Sequence, residues 1–139
     1  MPFPEFTADG GLPPGIYRGT ADEIVERFCR NSERRQYLEE PLRLLVQIAI
    51  DSEAIALYLN GSFVTDKQNP RDIDGVIVLP DAFDTTGELA QRLRQLHRDY
   101  GLDIERVATH DIEERDYLLK DFFGTDREGK PRGIVEVIL

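Results

Sequence analysis

The sequence contains little that would suggest a disulfide-stabilised, secreted or membrane-spanning protein. Only one of its 139 residues is cysteine, so no internal disulfide can form, and the helical pattern around Cys29 favours a half-buried thiol over a nucleophile. No apolar run approaches the roughly 20 residues that are needed to cross a bilayer. The opening residues MPFPEF are not the basic and then apolar stretch of a secretory signal. We therefore expect a cytoplasmic protein without a membrane segment.

Basic residues are also scarce. There are 17 Lys and Arg residues against 27 Asp and Glu residues, which gives a net charge of −10. A field of this sign repels a polyanion, so it argues against a protein that wraps nucleic acid by general phosphate neutralisation, although a local basic groove is compatible with it. The two histidines, His97 and His110, have no Cys or His partners at zinc spacing, which favours structural roles for both.

The length and the hydrophobic content of 40% are typical of one globular domain with a single core. Residues 1–19 are interrupted by prolines and glycines and are predicted to form an irregular N-terminal arm, followed by a single domain over 20–139. The patterns predict, in order, helix, helix, strand, loop or short helix, strand, helix, strand, helix, strand. The expected fold class is α/β (α+β), a sandwich around a small sheet.

Several element boundaries follow from capping signals. The Thr-x-x-Glu pattern at 20–23 is a capping box that predicts a helix to about residue 30, and the same pattern at 85–88 predicts a second box before a helix that ends at Gly101. Asn31 or Ser32 would cap the next helix, in which Pro41 predicts either a break or a kink.

Three further elements are predicted in the carboxyl-terminal part of the sequence. Residues 102–108 and 133–139 have the alternation of strands. Residues 111–123 have apolar positions that suit a last helix, and 124–129 suit a polar turn.

The most informative stretch is residues 59–74. The apolar run 55–59 suits a buried strand, Gly61 and Ser62 form a tight turn, and Asp72-Ile73-Asp74 leads into the β-branched run 75–79. In a strand, Asp72 and Asp74 project on one side and Ile73 on the other. Two carboxylates roughly 7 Å apart on one face repel each other unless a cation lies between them, and hard ions such as Mg2+ prefer such oxygen ligands.

The order Gly-Ser, nine residues, Asp-apolar-Asp resembles the signature of the nucleotidyltransferase superfamily related to DNA polymerase beta. More narrowly, GSFVT followed by Lys67, Pro70 and the DID triplet is similar to a group of small single-domain nucleotidyltransferase-like proteins, and the likeness runs from LPPGIY to KPRGIVEV. The resemblance implies a nucleotidyltransferase-like fold, with a mixed β-sheet flanked by helices, and transfer of a nucleoside monophosphate from a nucleoside triphosphate.

The resemblance also implies which carboxylates are catalytic. Asp72 and Asp74 would hold two Mg2+ ions, which can stabilise the attacking and leaving oxygens together. A third carboxylate on a neighbouring strand is usual in the family, where it binds the metal or activates the acceptor hydroxyl. The third strand offers Asp103, which we prefer, and Glu105 on the same face as the alternative.

Four further residues are candidates for binding the triphosphate. Gly61 lets the backbone approach phosphate without a Cβ in the way, and the amide and hydroxyl of Ser62 can bond a phosphate oxygen. Lys67 lies on the connecting loop, where a cation could reach the triphosphate tail, and Arg71 is a weaker candidate for the same role.

The sequence departs from the family pattern at two positions. Asn60 precedes Gly61 where an apolar or acidic residue is common. Gly75 follows Asp74 where a bulky apolar residue is usual, and glycine is expected to loosen the strand that carries the metal. The basic string Arg30, Arg34 and Arg35 could touch a phosphate, but a solvated helix face paired to glutamates is favoured.

The expected function is therefore a Mg2+-dependent nucleotidyltransferase. So short a chain suggests a protein or RNA acceptor, held by a partner protein, as in the bacterial toxin–antitoxin nucleotidyltransferases that the chain resembles. The alternative is a catalytically degenerate, antitoxin-like module that binds a nucleotide or a protein. A third and lower possibility is a nuclease or phosphohydrolase that uses the same metal pair.

Overall fold

A computed structural model describes residues 3–109 and 130–139 of the chain. In these ranges the strands are β1 (Ile16–Gly19), β2 (Ala56–Asn60), β3 (Asp74–Leu79), β4 (Asp103–Ala108) and β5 (Ile134–Val137). The helices are α1 (Ala21–Phe28), α2 (Glu33–Tyr37), α3 (Glu39–Asp51) and α4 (Glu88–Tyr100), with a 3-10 helix at Gly61–Val64. No helix in the described ranges has the length and apolarity needed to cross a membrane.

The five strands form one mixed sheet in the order β1-β5-β2-β3-β4. The pairs β1–β5 and β3–β4 are parallel, whereas β2 pairs antiparallel with both β3 and β5. The strand from the carboxyl-terminal end of the sequence thus lies between the first two strands. The predicted fold class, a small mixed sheet with helices packed on it, is confirmed, and the arrangement is compatible with a nucleotidyltransferase-like fold.

Alternating residues of the sheet face two different clusters. The main core joins one face of the sheet to the helices, and its members include Leu57, Leu59, Ile77 and Val135 from strands and Ile24, Phe28, Leu42 and Leu45 from helices. The opposite face carries a smaller buried cluster of Ala56, Val76, Val78 and Val107. Since strand side chains alternate with a period of two, this division fixes which residues of β3 and β4 share a face.

The first two helices begin as the capping signals predict. The Thr20 hydroxyl oxygen accepts the Glu23 N–H at 3.2 Å, and the Glu23 carboxylate accepts the Thr20 N–H at 3.0 Å, which confirms the capping box. Ser32 caps α2 by accepting the Arg35 N–H at 3.1 Å. The chain breaks between α2 and α3, and Pro41 lies in the first turn of α3, where a missing N–H leaves no hydrogen bond unmade.

The second predicted capping box, at 85–88, is wrong. No side chain caps α4, which begins after Gly87. Instead the backbone N–H and the hydroxyl of Thr86 both donate to the Asp84 carboxylate, at 2.9 and 2.8 Å, and these bonds lower the pKa of Asp84. Aspartate readily bonds the backbone two residues on, and that turn replaces the box. The predicted helix end is confirmed, because Gly101 is left-handed with φ 75°.

The predicted arm over 1–19 needs a correction. Residues 16–19 form β1, an edge strand that pairs with β5, whereas residues 3–15 contain no helix or strand. The strands predicted at 102–108 and 133–139 are confirmed as β4 and β5. The predicted helix at 111–123, the turn at 124–129 and His110 lie outside the described residues.

Cys29 is more deeply buried than the sequence suggests. Its side chain is fully enclosed in the main core at the end of α1, and burial raises the pKa of its thiol to about 12. A thiol with so high a pKa is protonated at neutral pH and is a poor nucleophile, which agrees with the expected structural role.

Candidate functional site

The turn after β2 and the start of β3 meet at one point. Gly61 has φ 72°, in the left-handed region that favours glycine, and from it the chain enters the 3-10 helix. A Cβ placed on Gly61 would lie 2.5 Å from the Asp74 Oδ2 atom. The glycine is therefore required both for the backbone conformation and for the space that the Asp74 carboxylate occupies. The Gly-Ser bend and the second aspartate of the motif are therefore in direct contact.

The register of β4 selects one of the two candidate third carboxylates. Asp103 is the parallel partner of Asp74, whereas Glu105 is the partner of Val76, two residues further along the same face. Neighbouring strands are about 4.8 Å apart, and paired positions project on the same side of the sheet. The structure thus brings Asp103 alongside Asp74 and leaves Glu105 one step farther from the Gly61 turn.

Asp72 lies at a bend two residues before the start of β3. Ile73 is fully buried in the main core, and its carbonyl accepts the Asp103 N–H at 3.1 Å, so extended pairing with β4 already begins there. Asp72 and Asp74 on either side of it are both half-buried. Only Asp74 belongs to β3, so the shared side of the two aspartates stays a prediction.

These carboxylates do not form a closed metal site. Within residues 3–109 and 130–139, no group of three or more His, Cys, Asp or Glu side chains is arranged to hold a metal ion. Mg2+ is commonly bound through one or two carboxylates, with waters and substrate phosphates as its other ligands. A neighbouring pair such as Asp74 and Asp103 matches that mode of binding and not a four-ligand structural site.

Asn60, which the sequence showed only as a departure from the family pattern, has an unusual environment. It ends β2, pairs with Asp74 across the ladder and is only 9% exposed. Its Oδ1 atom is buried and has no hydrogen-bond partner. Buried polar atoms are nearly always paired, so this amide oxygen beside an aspartate is an exception. The sequence feature that could have drawn attention to Asn60 is that this polar residue ends the mainly apolar strand β2.

Gly75 has a different role from the one expected. A Cβ at this position would lie 2.3 Å from the carbonyl oxygen of Tyr58 in the neighbouring strand. Glycine therefore lets β3 pack closely against β2 just beside Asp74, and a larger residue would push the strands apart. Gly75 was expected to loosen β3. The structure shows instead that glycine is needed here because the backbones of β3 and β2 approach each other closely.

A buried arginine holds the loop that follows the Gly-Ser turn. Arg35 on α2 is only 2% exposed, and its guanidinium donates to the carbonyls of Phe28 and Phe63 at 2.8 Å each, Thr65 at 2.6 Å and Lys67 at 2.7 Å. Burial lowers the pKa of Arg35, while the nearby Cys29 and Asp66 act in the opposite direction. Arg35 also donates to the Ser62 carbonyl at 3.4 Å. A guanidinium nevertheless stays charged in proteins, so five carbonyl groups solvate one buried cation.

The same helix also holds the next part of the loop. The Ser32 hydroxyl donates to the Gln68 carbonyl at 2.6 Å. Arg34 donates to the Pro70 carbonyl at 3.2 Å and to the Arg71 carbonyl. Helix α2 therefore fixes the backbone from the 3-10 helix almost to the first aspartate of the motif.

The basic string of the sequence thus has two separate roles. Arg30 forms ion pairs with Glu26 at 3.0 Å and with Glu39 at 2.6 Å. This agrees with the interpretation that the sequence favours, a solvated face paired to glutamates. Arg34 and Arg35 bind backbone carbonyls instead. The sequence did not reveal this, because a charged residue in a polar helix gives no sign that it will be buried against a distant loop.

Two cations remain available on this loop. The side chains of Lys67 and Arg71 are exposed, and neither forms an ion pair with any residue that the structure describes. The Lys67 backbone is fixed, because its N–H donates to the Thr65 hydroxyl at 3.1 Å and its carbonyl accepts from Arg35. Both side chains are therefore exposed charges on a hydrogen-bonded backbone, next to the aspartate motif.

The fold and site define a small mixed α+β protein in which a glycine turn touches an aspartate at the start of a neighbouring strand. The chain belongs to a family of unknown function, DUF6932, whose model matches residues 4–138. No curated protein and no solved structure matches the chain.

Proposed function

We propose that this protein is a Mg2+-dependent nucleotidyltransferase of the superfamily related to DNA polymerase beta. It would transfer a nucleoside monophosphate from a nucleoside triphosphate to a protein or RNA acceptor. The observation that carries the proposal is the contact between the Gly61 turn and the Asp74 carboxylate, with Asp103 in register beside it. Use of a triphosphate agrees with the cytoplasmic location expected from the sequence.

In the proposed reaction an acceptor hydroxyl attacks the α-phosphorus. A new bond forms between the acceptor oxygen and phosphorus, the bond to the β-phosphate oxygen breaks, and pyrophosphate leaves with that electron pair. Such chemistry depends on in-line positioning and on neutralisation of charge more than on covalent participation of the protein. Bound Mg2+ would supply much of that neutralisation, and Asp103 would accept the hydroxyl proton or complete the metal site.

The residues present suit Mg2+. Asp72, Asp74 and Asp103 supply carboxylate oxygens, and the unpaired Oδ1 atom of Asn60 adds a neutral oxygen beside them. Hard divalent cations bind mixtures of carboxylate, amide and water oxygens. The buried amide oxygen is the feature that a purely structural aspartate pair would leave unexplained.

The triphosphate would lie over the turn and the loop that α2 holds. The Ser62 hydroxyl is available at the turn, whereas the space that Gly61 leaves open is occupied by the Asp74 carboxylate. Lys67 and Arg71 would bind the terminal phosphates. Because Arg35 and Arg34 already fix the loop backbone, little backbone conformational entropy would be lost when these side chains engage.

A second function is supported by one observation. In the part of the chain that the structure describes, no three carboxylate, thiol or imidazole groups gather to hold a metal. This arrangement also suits a degenerate relative that binds a nucleotide or a partner protein without turnover, as in an antitoxin. Calorimetry with nucleoside triphosphates, with and without Mg2+, separates the two functions, because binding without transfer supports only the second.

The transfer reaction is tested with α-phosphate-labelled ATP, CTP, GTP and UTP, Mg2+ and a cell extract that supplies acceptors. We expect the wild type to label an acceptor and Asp74→Asn to lose at least about 100-fold of that activity, since a charged ligand is removed. The matched control Asp22→Asn alters an exposed aspartate that is paired only to Arg43, and it should label as the wild type does. Equal labelling by wild type and Asp74→Asn rules out the proposal.

A further inference from the structure

Residues 3–12, here called the strap, pass close to the candidate site without forming a helix or a strand. Both ends are buried in the main core, since Phe3 is 4% exposed and Leu12 is 2% exposed. Between the ends, Glu5 and residues 7–9 are exposed to solvent. Segments with few buried contacts open locally at a lower free energy than the core does. The middle of the strap can therefore lift away while the sheet stays folded.

Gly10 joins the strap to the loop that follows the 3-10 helix. Its carbonyl accepts the Asp66 N–H at 2.8 Å, its own N–H donates to the Thr7 carbonyl at 2.9 Å, and its φ is 87°. A Cβ on Gly10 would collide with the Asp66 Oδ1 atom, so the Asp66 carboxylate lies against the strap. Glycine is thus required both for the left-handed backbone and for this contact. Because Asp66 directly precedes Lys67, the strap holds the residue next to a proposed phosphate ligand.

A row of aromatic rings links the strap to the Gly-Ser turn. The ring centroid of Phe28 on α1 lies 5.3 Å from that of Phe3 and 6.3 Å from that of Phe6. On its other side Phe28 packs against Phe63, at 5.8 Å between centroids. Phe63 directly follows Ser62 in the 3-10 helix. The strap therefore supports the turn through packed rings and the loop through a hydrogen bond.

Arg27 attaches the first part of the strap to α1. Its guanidinium lies 4.4 Å from the centroid of the half-buried Phe6 ring and donates to the Pro4 carbonyl at 2.7 Å. Its Nε atom, however, is buried without a hydrogen-bond partner. Release of the strap would let water reach this N–H, which offsets part of the free energy that is lost with the other contacts. The docked and released states are therefore close enough in free energy for a switch.

We propose that the docked strap holds the loop 65–71 in the conformation that binds the triphosphate, and that release of the strap weakens this binding. The regulation rests on the proposed function, in which Lys67 binds the terminal phosphates. Arg35 holds the carbonyls of Thr65 and Lys67, while the strap holds the N–H of Asp66 between them. Without the strap, the Asp66 carboxylate is released beside Lys67 and competes with phosphate for its charge.

The test uses two full-length strap variants. Gly10→Ala adds a Cβ that collides with Asp66 and strains the left-handed backbone. Phe6→Ser removes the half-buried ring that contacts Arg27, without adding a collision. The matched control is Gly101→Ala, which has the same kind of strain at φ 75°, but no described atom lies within 4 Å of its Cβ. Circular dichroism verifies that each variant is folded.

The first measurement is hydrogen exchange of the Asp66 N–H by NMR, without Mg2+ or nucleotide. We expect exchange at least about 10-fold faster than in the wild type in both strap variants, because this N–H loses its acceptor when the strap opens. Gly101→Ala should exchange this proton as the wild type does. Equal exchange in the wild type and the strap variants overturns the proposal, whatever their activity.

The second measurement is the rate of nucleotidyl transfer against triphosphate concentration. We expect both strap variants to raise KM at least about 5-fold and to keep kcat within about 2-fold of the wild type, the pattern of weakened binding without a change in chemistry. By thermodynamic reciprocity, the triphosphate must also slow exchange of the Gly10 N–H in the wild type. A stabilising role alone predicts neither effect in folded variants.

The outcomes separate the strap from the function. Faster exchange of the Asp66 N–H with unchanged KM, or no protection of the Gly10 N–H by the triphosphate, overturns the regulatory role. A wild type that neither binds a triphosphate nor labels an acceptor refutes the proposed function and removes this regulation with it. The exchange of Asp66, which needs no nucleotide, distinguishes that result from a strap that does not hold the loop.

Discussion

An amide oxygen without a partner is costly to bury. Leaving such an atom unsatisfied costs about 1–3 kcal/mol, and Asn60 Oδ1 is in this state beside Asp74. Leucine has nearly the same shape as asparagine and would remove the penalty. That the chain has asparagine here is explained if the oxygen contacts a ligand.

We therefore expect Asn60→Leu to raise the free energy of unfolding, by about 1 kcal/mol, while lowering nucleotidyl transfer at least 10-fold. Urea denaturation and the labelling assay measure the two effects. Asn31→Leu is the control, because Asn31 is exposed and should change neither quantity. A loss of stability in Asn60→Leu would show that the amide has a structural role and would contradict the prediction.

The candidate site residues differ in how far the sequence alone predicts them. Gly61, Asp72 and Asp74 follow a spacing along the chain, so the sequence predicts them directly. The choice of Asp103 over Glu105 depends on the register between two strands separated by α4, which spacing leaves open. The unpaired oxygen of Asn60 depends on the burial of one atom, and no sequence pattern encodes that.

Helix α2 has only five residues, yet it fixes the loop between the Gly-Ser turn and the aspartates. Its Arg35 is the residue that most of this loop depends on, because one guanidinium serves carbonyls at Phe63, Thr65 and Lys67. Removal of the guanidinium would leave these buried acceptors unsatisfied, and each such group costs about 1–3 kcal/mol.

We expect Arg35→Met to lower the free energy of unfolding by about 3 kcal/mol or more, measured by urea denaturation. Arg30→Met is the matched control: Arg30 is a nearby exposed arginine that forms only surface ion pairs, so the denaturation midpoint should barely move. A similar small shift in both variants would mean that the loop does not depend on α2.

Helix ends were more predictable than strand edges. The Thr20 box and Gly101 act within one turn of the chain, so local sequence is sufficient to place them. The predicted capping box at 85–88 does not form, because Asp84, just outside the pattern, accepts a hydrogen bond from the Thr86 N–H instead. Residues 16–19 were missed because four residues become a strand only through pairing with a partner more than a hundred positions away.

The whole sheet depends on β5. This strand connects β1 to the rest of the sheet, and Val135 pairs with Leu59 in its centre. Val135 is fully buried, whereas Ile138 just beyond the strand is 41% exposed. A charge at the first position would lie in the main core, and a charge at the second would be in contact with water.

We expect Val135→Asp to abolish cooperative thermal unfolding and Ile138→Asp to keep it, with a melting temperature within a few degrees of the wild type. Circular dichroism on heating distinguishes the two. Cooperative melting of Val135→Asp near the wild-type temperature would show that β5 is not required for the sheet.

The fold class was predictable from alternation and capping, but the strand order was not. Helix and strand periods are local properties, whereas the order β1-β5-β2-β3-β4 arises from pairings between distant segments. A resemblance to a known superfamily suggested a mixed sheet. Only the structure placed the last strand between the first two and Asp103 next to Asp74.

The position of β5 has a consequence for synthesis on the ribosome. The first strand leaves the exit tunnel early, yet its partner in the described sheet, residues 134–137, is made more than a hundred residues later. Until then the β5-facing side of β2 has no neighbour in the described fold and presents unpaired backbone groups. A nascent chain of this protein would therefore need protection from premature association until its final strand emerges.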